Sequence, residues 1–355
     1  MQEHKFPYRW NLADGYPAKG IEYHGRKAFG TFVCGGGSTM GYKLAGFDHI
    51  GGVEIDPKVA DVYRTNHNPK HLFVQDIREF NKREDLPAEL YDLDLLDGSP
   101  PCSSFSMAGN REKDWGKKKQ FREGQEYQRL DDLVFEYVKT IGKLKPKVAL
   151  LENVKGLIQG NAKVYAKSMK TAFESHGYRV QVFLLNAASM GVPQKRERVF
   201  FIGLRNDFDL PLLKLEFNEK AVLFGALKLG IREPVQGTIG RALHGKRIVT
   251  DKCLADISSR ERGKPSGFNT MLIKDNEAFP TIVSNSYYYI FEDFTHVSKP
   301  EYCQIGTYAL DYDFKKIAPK YLIGMSVPPV MAAQIGHKIW LQWLSKIGSK
   351  NRNFV

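Results

Sequence analysis

From residue 28 onward, short apolar runs alternate with amphipathic stretches along the chain. AFGTFV (28–33) reads as a strand, followed by a glycine-rich turn and a helix at TMGYKLAGF (39–47). HIGGVEID (49–56) is a second strand with an acidic end, and PKVADVYRTNH (57–67) a second helix. HLFVQDI, LDLLDGS, KVALLENV and YRVQVFLLNA add strands, with helices at DLVFEYVKTIGKLK (132–145) and across 162–176. This alternation predicts an α/β fold, a doubly wound and mostly parallel sheet covered on both faces. Ligands of such sheets sit at the carboxyl ends of the strands. The alternation stops after Arg205: residues 206–305 hold irregular turns, the basic clusters HGKRIVTDK and SSRERGKPSG, and an aromatic run, Tyr287-Tyr288-Tyr289. The pattern therefore divides the chain into a first, ligand-binding domain at 1–205, a smaller domain at 206–305 and a C-terminal segment at 306–355. The amphipathic stretch PPVMAAQIGHKIWLQWL (328–344) in that last segment is expected to pack back on the first domain.

Charge narrows the choice of partner. A net charge of +12 and a pI near 9.3 favour a polyanion, although a basic soluble protein has the same composition. No apolar run approaches the length of about 20 residues that spans a bilayer, and MQEHKFPYRWNLADG lacks a signal-type stretch, so a soluble cytoplasmic protein with no membrane partner is expected. The four cysteines, Cys34, Cys102, Cys253 and Cys303, are scattered without a C-x-x-C pair. That spacing argues against a metal site and against a disulfide framework.

Candidate chemistry gathers at the strand ends. Phe32-Val33-Cys34-Gly35-Gly36-Gly37 follows the first strand, where glycines let the backbone approach a ligand and a helix start offers free N–H groups. A nucleotide-type cofactor and a plain tight turn explain that loop equally well. The second strand ends in Glu54-Ile55-Asp56, where an acid suits ribose hydroxyls, and the third in Asp76, placed for an adenine amino group. The fourth runs into Asp97-Gly98-Ser99-Pro100-Pro101-Cys102. An isolated cysteine is most often inert core filler, but two stiffening prolines before it and polar residues after it fit a presented nucleophile. The fifth strand ends in Glu152-Asn153-Val154, where Glu152 suits either a helix cap or a proton-sharing role. Arg196 and Arg198, in Gln194-Lys195-Arg196-Glu197-Arg198, offer bidentate or phosphate contacts before the strand VFFIGL.

Taken together these residues resemble the (cytosine-5) DNA methyltransferase family of restriction-modification type, over most of the chain. PPC (100–102), ENV (152–154) and Q-x-R-x-R (194–198) look like its catalytic motifs in their usual order, and TFVCGGGSTMGYKLAGF and YLIGMSVPPVMAAQI (321–335) like its cofactor loop and final motif. The resemblance implies S-adenosyl-L-methionine as cofactor, with contacts from Phe32, Gly35, Gly36, Glu54, Asp76, Pro101 and Ser326. It implies that a cytosine is flipped out of double-stranded DNA, that Cys102 attacks C6, that Glu152 holds N3 and the exocyclic amine, and that Arg198 and Arg196 hold the base and its surroundings. Residues 206–305 would then be a target-recognition domain, with Pro280-Thr281-Ile282 entering the DNA beside the target base. The enzyme would act as a monomer on DNA, either beside a cognate restriction endonuclease that reads the same site or as an orphan or phage-borne enzyme; the sequence leaves that choice open.

Two residues depart from the family pattern. Cys34 replaces the first glycine of the cofactor loop, and Met325 stands in GMSV where an asparagine is usual. Two other readings keep the same architecture: an RNA cytosine-5 methyltransferase, and a DNA-binding regulator without activity. The long basic insert favours DNA, and intact Cys102, Glu152 and Arg198 favour an enzyme.

Overall fold

The computed structural model describes residues 5–101, 132–160, 162–267, 269–283 and 286–348. Among these residues nine strands run in chain order: β1 (Lys27–Thr31), β2 (Asp48–Glu54), β3 (His71–Val74), β4 (Leu95–Gly98), β5 (Val148–Val154), β6 (Tyr178–Asn186), β7 (Glu197–Arg205), β8 (Thr270–Ile273) and β9 (Tyr287–Ile290). Ten helices accompany them: α1 (Gly37–Leu44), α2 (Pro57–His67), α3 (Ile77–Lys82), α4 (Leu133–Leu144), α5 (Ala162–Ser175), α6 (Thr238–His244), α7 (Leu254–Arg262), α8 (Lys299–Ile305), α9 (Pro319–Met325) and α10 (Pro329–Ile339).

The first seven strands form one sheet in the order β3-β2-β1-β4-β5-β7-β6, parallel except for β7. Chain order reverses between β1 and β4, and the crevice opens at that switch point. The central strands are buried on both faces, which is why KVALLENV reads as a continuous apolar run. β6 lies on the sheet edge and instead alternates, leaving Val182 and Leu184 exposed. Local signals start and stop the helices: Asp56 caps α2 by accepting from Lys58 and Val59, Pro57 opens it, and Asn68 ends it in the left-handed region.

Two apolar cores flank the sheet. Ala28, Leu95, Leu150 and Ile202 face α1 and α10, and Phe29, Leu96, Leu151 and Phe201 face α3, α4 and α5. The C-terminal segment closes the first core. Arg26 donates to the carbonyls of Leu344 (2.9 Å) and Ile347 (2.5 Å), and His24 stacks on Trp340 at 4.1 Å. Residues just past β7 cover the same core: Gln181 and Leu213 exchange two hydrogen bonds, and Trp343 donates to Pro211. A separate small core of Val235, Leu243, Leu254, Ile257, Leu272 and Phe294 lies under α6, α7 and the parallel β8–β9 pair. Some of the basic residues there are engaged within the fold, Arg260 on Asp251 (2.7 Å) and Lys246 on Glu261 (2.8 Å). No helix among the described residues is long and apolar enough to cross a membrane.

The seam between α1 and α10 is set by a glycine. A Cβ on Gly41 would lie 2.3 Å from the Pro329 carbonyl oxygen, a backbone atom that cannot rotate away. Alanine gains up to about 1 kcal/mol of helix propensity at such a site, but the clash outweighs it. Gly41→Ala is therefore expected to lower stability by about 1–3 kcal/mol in urea unfolding. An unchanged midpoint would contradict this packing.

Candidate active site

The site is built along one edge of the sheet. Because the order is β3-β2-β1-β4-β5, residues at or just past the carboxyl ends of these strands stand in a row: Asp76, Glu54, Phe32, then Ser99 to Pro101, then Glu152 and Asn153. At the switch point the Ser99 hydroxyl donates to the Phe32 carbonyl at 3.3 Å. The Asn153 side chain donates to the Pro100 carbonyl at 3.4 Å and so ties the proline turn to β5. Cys102, the expected nucleophile, lies outside the described residues; Pro101, directly before it, is half-buried at this edge.

The glycine-rich loop is held by Glu54. Its two carboxylate oxygens accept from the N–H groups of Cys34 and Asp56, each at 2.9 Å. Burial pushes the Glu54 carboxyl above the usual carboxylate range, while these N–H groups pull it down. Phe32 (φ +56°), Cys34 (φ +50°) and Gly36 (φ +71°) all adopt the left-handed region. Cys34 thus keeps the backbone conformation that a glycine would take freely, at a strain of about 1–3 kcal/mol. The glycines that follow are close-packed against the protein. A Cβ on Gly36 would meet His67 Nε2 at 2.1 Å, one on Gly35 would meet Leu322 at 2.5 Å, and one on Gly37 the Val327 carbonyl at 2.2 Å. The Gly35 carbonyl also accepts from Tyr312 at 2.5 Å and lies 3.2 Å from His67 Nε2.

Glu152 and Arg198 meet across β5 and β7. Glu152 opposes Phe200 and Val154 opposes Arg198, so Glu152 and Arg198 are diagonal neighbours on one face. Arg198 Nε approaches Glu152 Oε1 at 3.0 Å, and both side chains are largely buried. Burial pushes the Arg198 guanidinium below its usual value and the Glu152 charge pushes it back. Arg196, only 2% exposed, points elsewhere: its Nη2 donates to the carbonyls of Gly324 and Ser326, both at 3.0 Å. Burial, with the Arg198 charge beside it, pushes Arg196 down to about 9.

The other expected residues divide by what they touch. Asp76 caps α3 through the Arg78 N–H and pairs with the Arg78 guanidinium at 3.1 Å. The Ser326 hydroxyl donates to Leu322 and accepts from Tyr308 at 2.6 Å, which leaves it one acceptor position. Gln194 holds the segment at 279–282: its side chain accepts from the Ile282 N–H at 3.3 Å, while Lys195 N–H donates to Phe279 at 2.7 Å. Sequence reasoning passed over Asn153 and Asp97. Asp97 is 2% exposed on β4 and accepts from the Tyr42 hydroxyl at 3.1 Å; a charge inside the apolar run LDLLDGS was the signal for it. Burial pushes it up to about 7, against hydrogen bonds from Ser38 and Tyr42 and with the Glu152 charge adding to the rise.

Comparison with known proteins gives the family and the fold. Residues 28–291 match the model of the C-5 cytosine-specific DNA methylase family. The chain is 36% identical over 188 residues to the Type II methyltransferase M.FnuDI of Fusobacterium nucleatum, covering 52% of this chain and 48% of that one. It is 32% identical to M.NgoPII of Neisseria gonorrhoeae, over 53% of this chain and 50% of the relative. These matches span about half the length of either relative. M1.HphI of Haemophilus parahaemolyticus is similar over 87% of this chain and 85% of its own length at 26% identity. The fold matches the crystal structure of a DNA modification methyltransferase encoded within an E. coli prophage, with a TM-score of 0.67 at 16% identity, over 89% of this chain and 99% of that one. It also matches the S. pombe Dnmt2 methyltransferase, with a TM-score of 0.56 at 17% identity, over 88% and 98%. With the family model matched across most of the sheet and its edge, this chain belongs to the C-5 cytosine-specific DNA methylase family.

Proposed function

We propose that the protein methylates C5 of a cytosine flipped out of a specific sequence in double-stranded DNA, as the modification enzyme of a restriction-modification system. The observation that carries this reading is the buried Glu152–Arg198 pair, set at the strand edge beside the proline turn that leads into Cys102. Members of this family use S-adenosylmethionine as methyl donor. The donors along the edge fit such a group: Phe32 and Pro101 offer apolar contact at the switch point, and Gly35 and Gly36 shape the loop between them. Glu54 and Asp76 offer carboxylates at the next two strand ends. Carboxylate oxygens that already accept one N–H keep further lone pairs for hydroxyl or amino donors. Ser326 adds its remaining acceptor position. When bound, the sulfonium supplies an electrophilic methyl group.

The chain's residues do the rest. C5 of cytosine is a poor nucleophile, and addition of the Cys102 thiolate at C6 makes it reactive. Glu152 holds N3 and the exocyclic amine, and Arg198 keeps that carboxyl facing the base. Arg196 acts through the backbone, fixing the turn at 324–326 beside the loop. Residues 206–305 serve as the target-recognition domain, with Pro280-Thr281-Ile282 at the base and the basic clusters on phosphates. The enzyme works in the cytoplasm as a monomer on DNA, alongside an endonuclease that reads the same sequence. A methyl-transfer assay on duplex DNA against tRNA separates this reading from RNA methylation, and transfer to tRNA alone would overturn it.

Two further outcomes follow. Cys102→Ser is expected to abolish methyl transfer and covalent trapping on a 5-fluorocytosine duplex while cofactor affinity changes little; equal loss of both would make the residue structural. Glu152→Gln is expected to cost about 1–3 kcal/mol in urea unfolding, because it leaves a buried guanidinium without its charge partner. Arg198→Met in that background should recover part of the loss, and strictly additive effects in the double-mutant cycle would argue against a coupled pair.

A further inference from the structure

Two donors from distant parts of the chain meet on one carbonyl of the glycine loop. The Tyr312 hydroxyl donates to the Gly35 carbonyl at 2.5 Å, and His67 Nε2 lies 3.2 Å from the same oxygen. The Gly36 N–H, at the other end of that peptide, donates to the Val33 carbonyl at 2.8 Å. The Gly35–Gly36 peptide plane is thereby fixed at both ends. Two peptides earlier, Glu54 accepts from the Cys34 N–H at 2.9 Å. These bonds act on a turn in which Phe32, Cys34 and Gly36 all sit in the left-handed region. Such backbone persists only where its surroundings over-determine it.

Both donors are neutral and aimed. His67 ends α2 and is buried; burial, with the Lys43 charge beside it, pushes the imidazole down to about 3. A neutral ring carries one N–H and a carbonyl only accepts, so Nε2 carries the proton and Nδ1 the bare lone pair. Nδ1 accordingly has no partner among the described residues. Burial likewise holds the Tyr312 hydroxyl well above its ordinary value, in the protonated form. The two side chains arrive together. Asn66, next to His67, exchanges hydrogen bonds of 2.8 Å in both directions with the backbone of Asp313, next to Tyr312. Gly36 leaves the room that the imidazole fills, since a Cβ there would lie 2.1 Å from Nε2.

We propose that His67 and Tyr312 are positioning residues for the methyl donor: by pinning the Gly35 carbonyl they hold the loop in its binding shape before the cofactor arrives. The proposal rests on the cofactor site of the methyltransferase reading above. Both side chains act through the backbone of the loop. Ordering of a strained turn is then completed during folding and not at binding, and a site made rigid in this way binds more tightly.

The test is the affinity for S-adenosylmethionine, measured by calorimetry on the full chain without DNA, for wild type, Tyr312→Phe, His67→Met and His67→Gln. Methionine and glutamine have the same length, but only glutamine carries an N–H at the reach of Nε2. Tyr312→Phe and His67→Met should each weaken binding about fivefold, the worth of roughly one neutral hydrogen bond. His67→Gln should recover most of that loss. The KM for the cofactor should rise in step, while kcat at saturating cofactor changes less. Urea unfolding records any loss of stability separately, so affinities are compared among folded proteins. Equal affinity in all four, whatever their stability, would overturn the proposal. Equal weakening by methionine and glutamine would do the same, because it would make His67 a packing residue only. Variants weakened as expected, in a wild-type chain that methylates no duplex DNA, would sink the parent reading and leave this one standing.

Discussion

The direction of one strand governs the site. β7 runs antiparallel between β5 and β6, so its amino end lies beside the carboxyl end of β5. Were β7 parallel, Arg198 would begin at the opposite edge of the sheet, a strand length of roughly 20 Å away from Glu152. The reversal brings a guanidinium to an edge otherwise lined by acids, and it does so inside the protein. A buried guanidinium or carboxylate alone is expensive, and the pair is tolerated because each partner satisfies the other. Charge, strand direction and burial are thus one requirement.

The same short segment reaches three further parts of the chain. Gln194 and Lys195 hold residues 279–282, and Arg196 holds the carbonyls of Gly324 and Ser326. Ile282 in turn packs on Gly324, where a Cβ would meet its methyl at 3.0 Å. The turn at 324–327 backs the glycine loop, since Gly37 has no room for a Cβ against the Val327 carbonyl. Backbone carbonyls and glycine contacts make up most of these links, and both are stiff. The position of the 279–282 segment relative to the loop is therefore set by the core rather than by mobile surface side chains.

Much of this was legible because buried parallel strands are written as apolar runs and capped helices announce their ends. The C-terminal helix was legible as well, although it ends at Ile339 and passes into a π-helical turn, Trp340–Leu344. The β8–β9 pair was not: four-residue strands carry no period, and Tyr287-Tyr288-Tyr289 does not alternate by residue type even though only Tyr288 is buried. Residues before β1 pack through single contacts, such as the Trp10 indole on the Thr307 carbonyl, that no local pattern encodes. In the site, Glu152 and Arg198 could be read from their motifs. The anchoring role of Arg196, the donor bond from Ser326 to Leu322 and the left-handed turn at Cys34 arise from tertiary packing, as does the Tyr42 hydroxyl on buried Asp97. Cys102 lies outside the described residues, and its role rests on its motif and on the turn that precedes it.

The account stands or falls on whether this edge places a methyl group on cytosine C5 in duplex DNA. Bisulfite sequencing of DNA from cells expressing the chain addresses that directly, and gives the recognition sequence in the same experiment. The account predicts cytosines protected from conversion at one position of a fixed sequence context, and no protection when Glu152 is replaced by Ala. Uniform conversion in cells that contain the folded wild-type protein would contradict it.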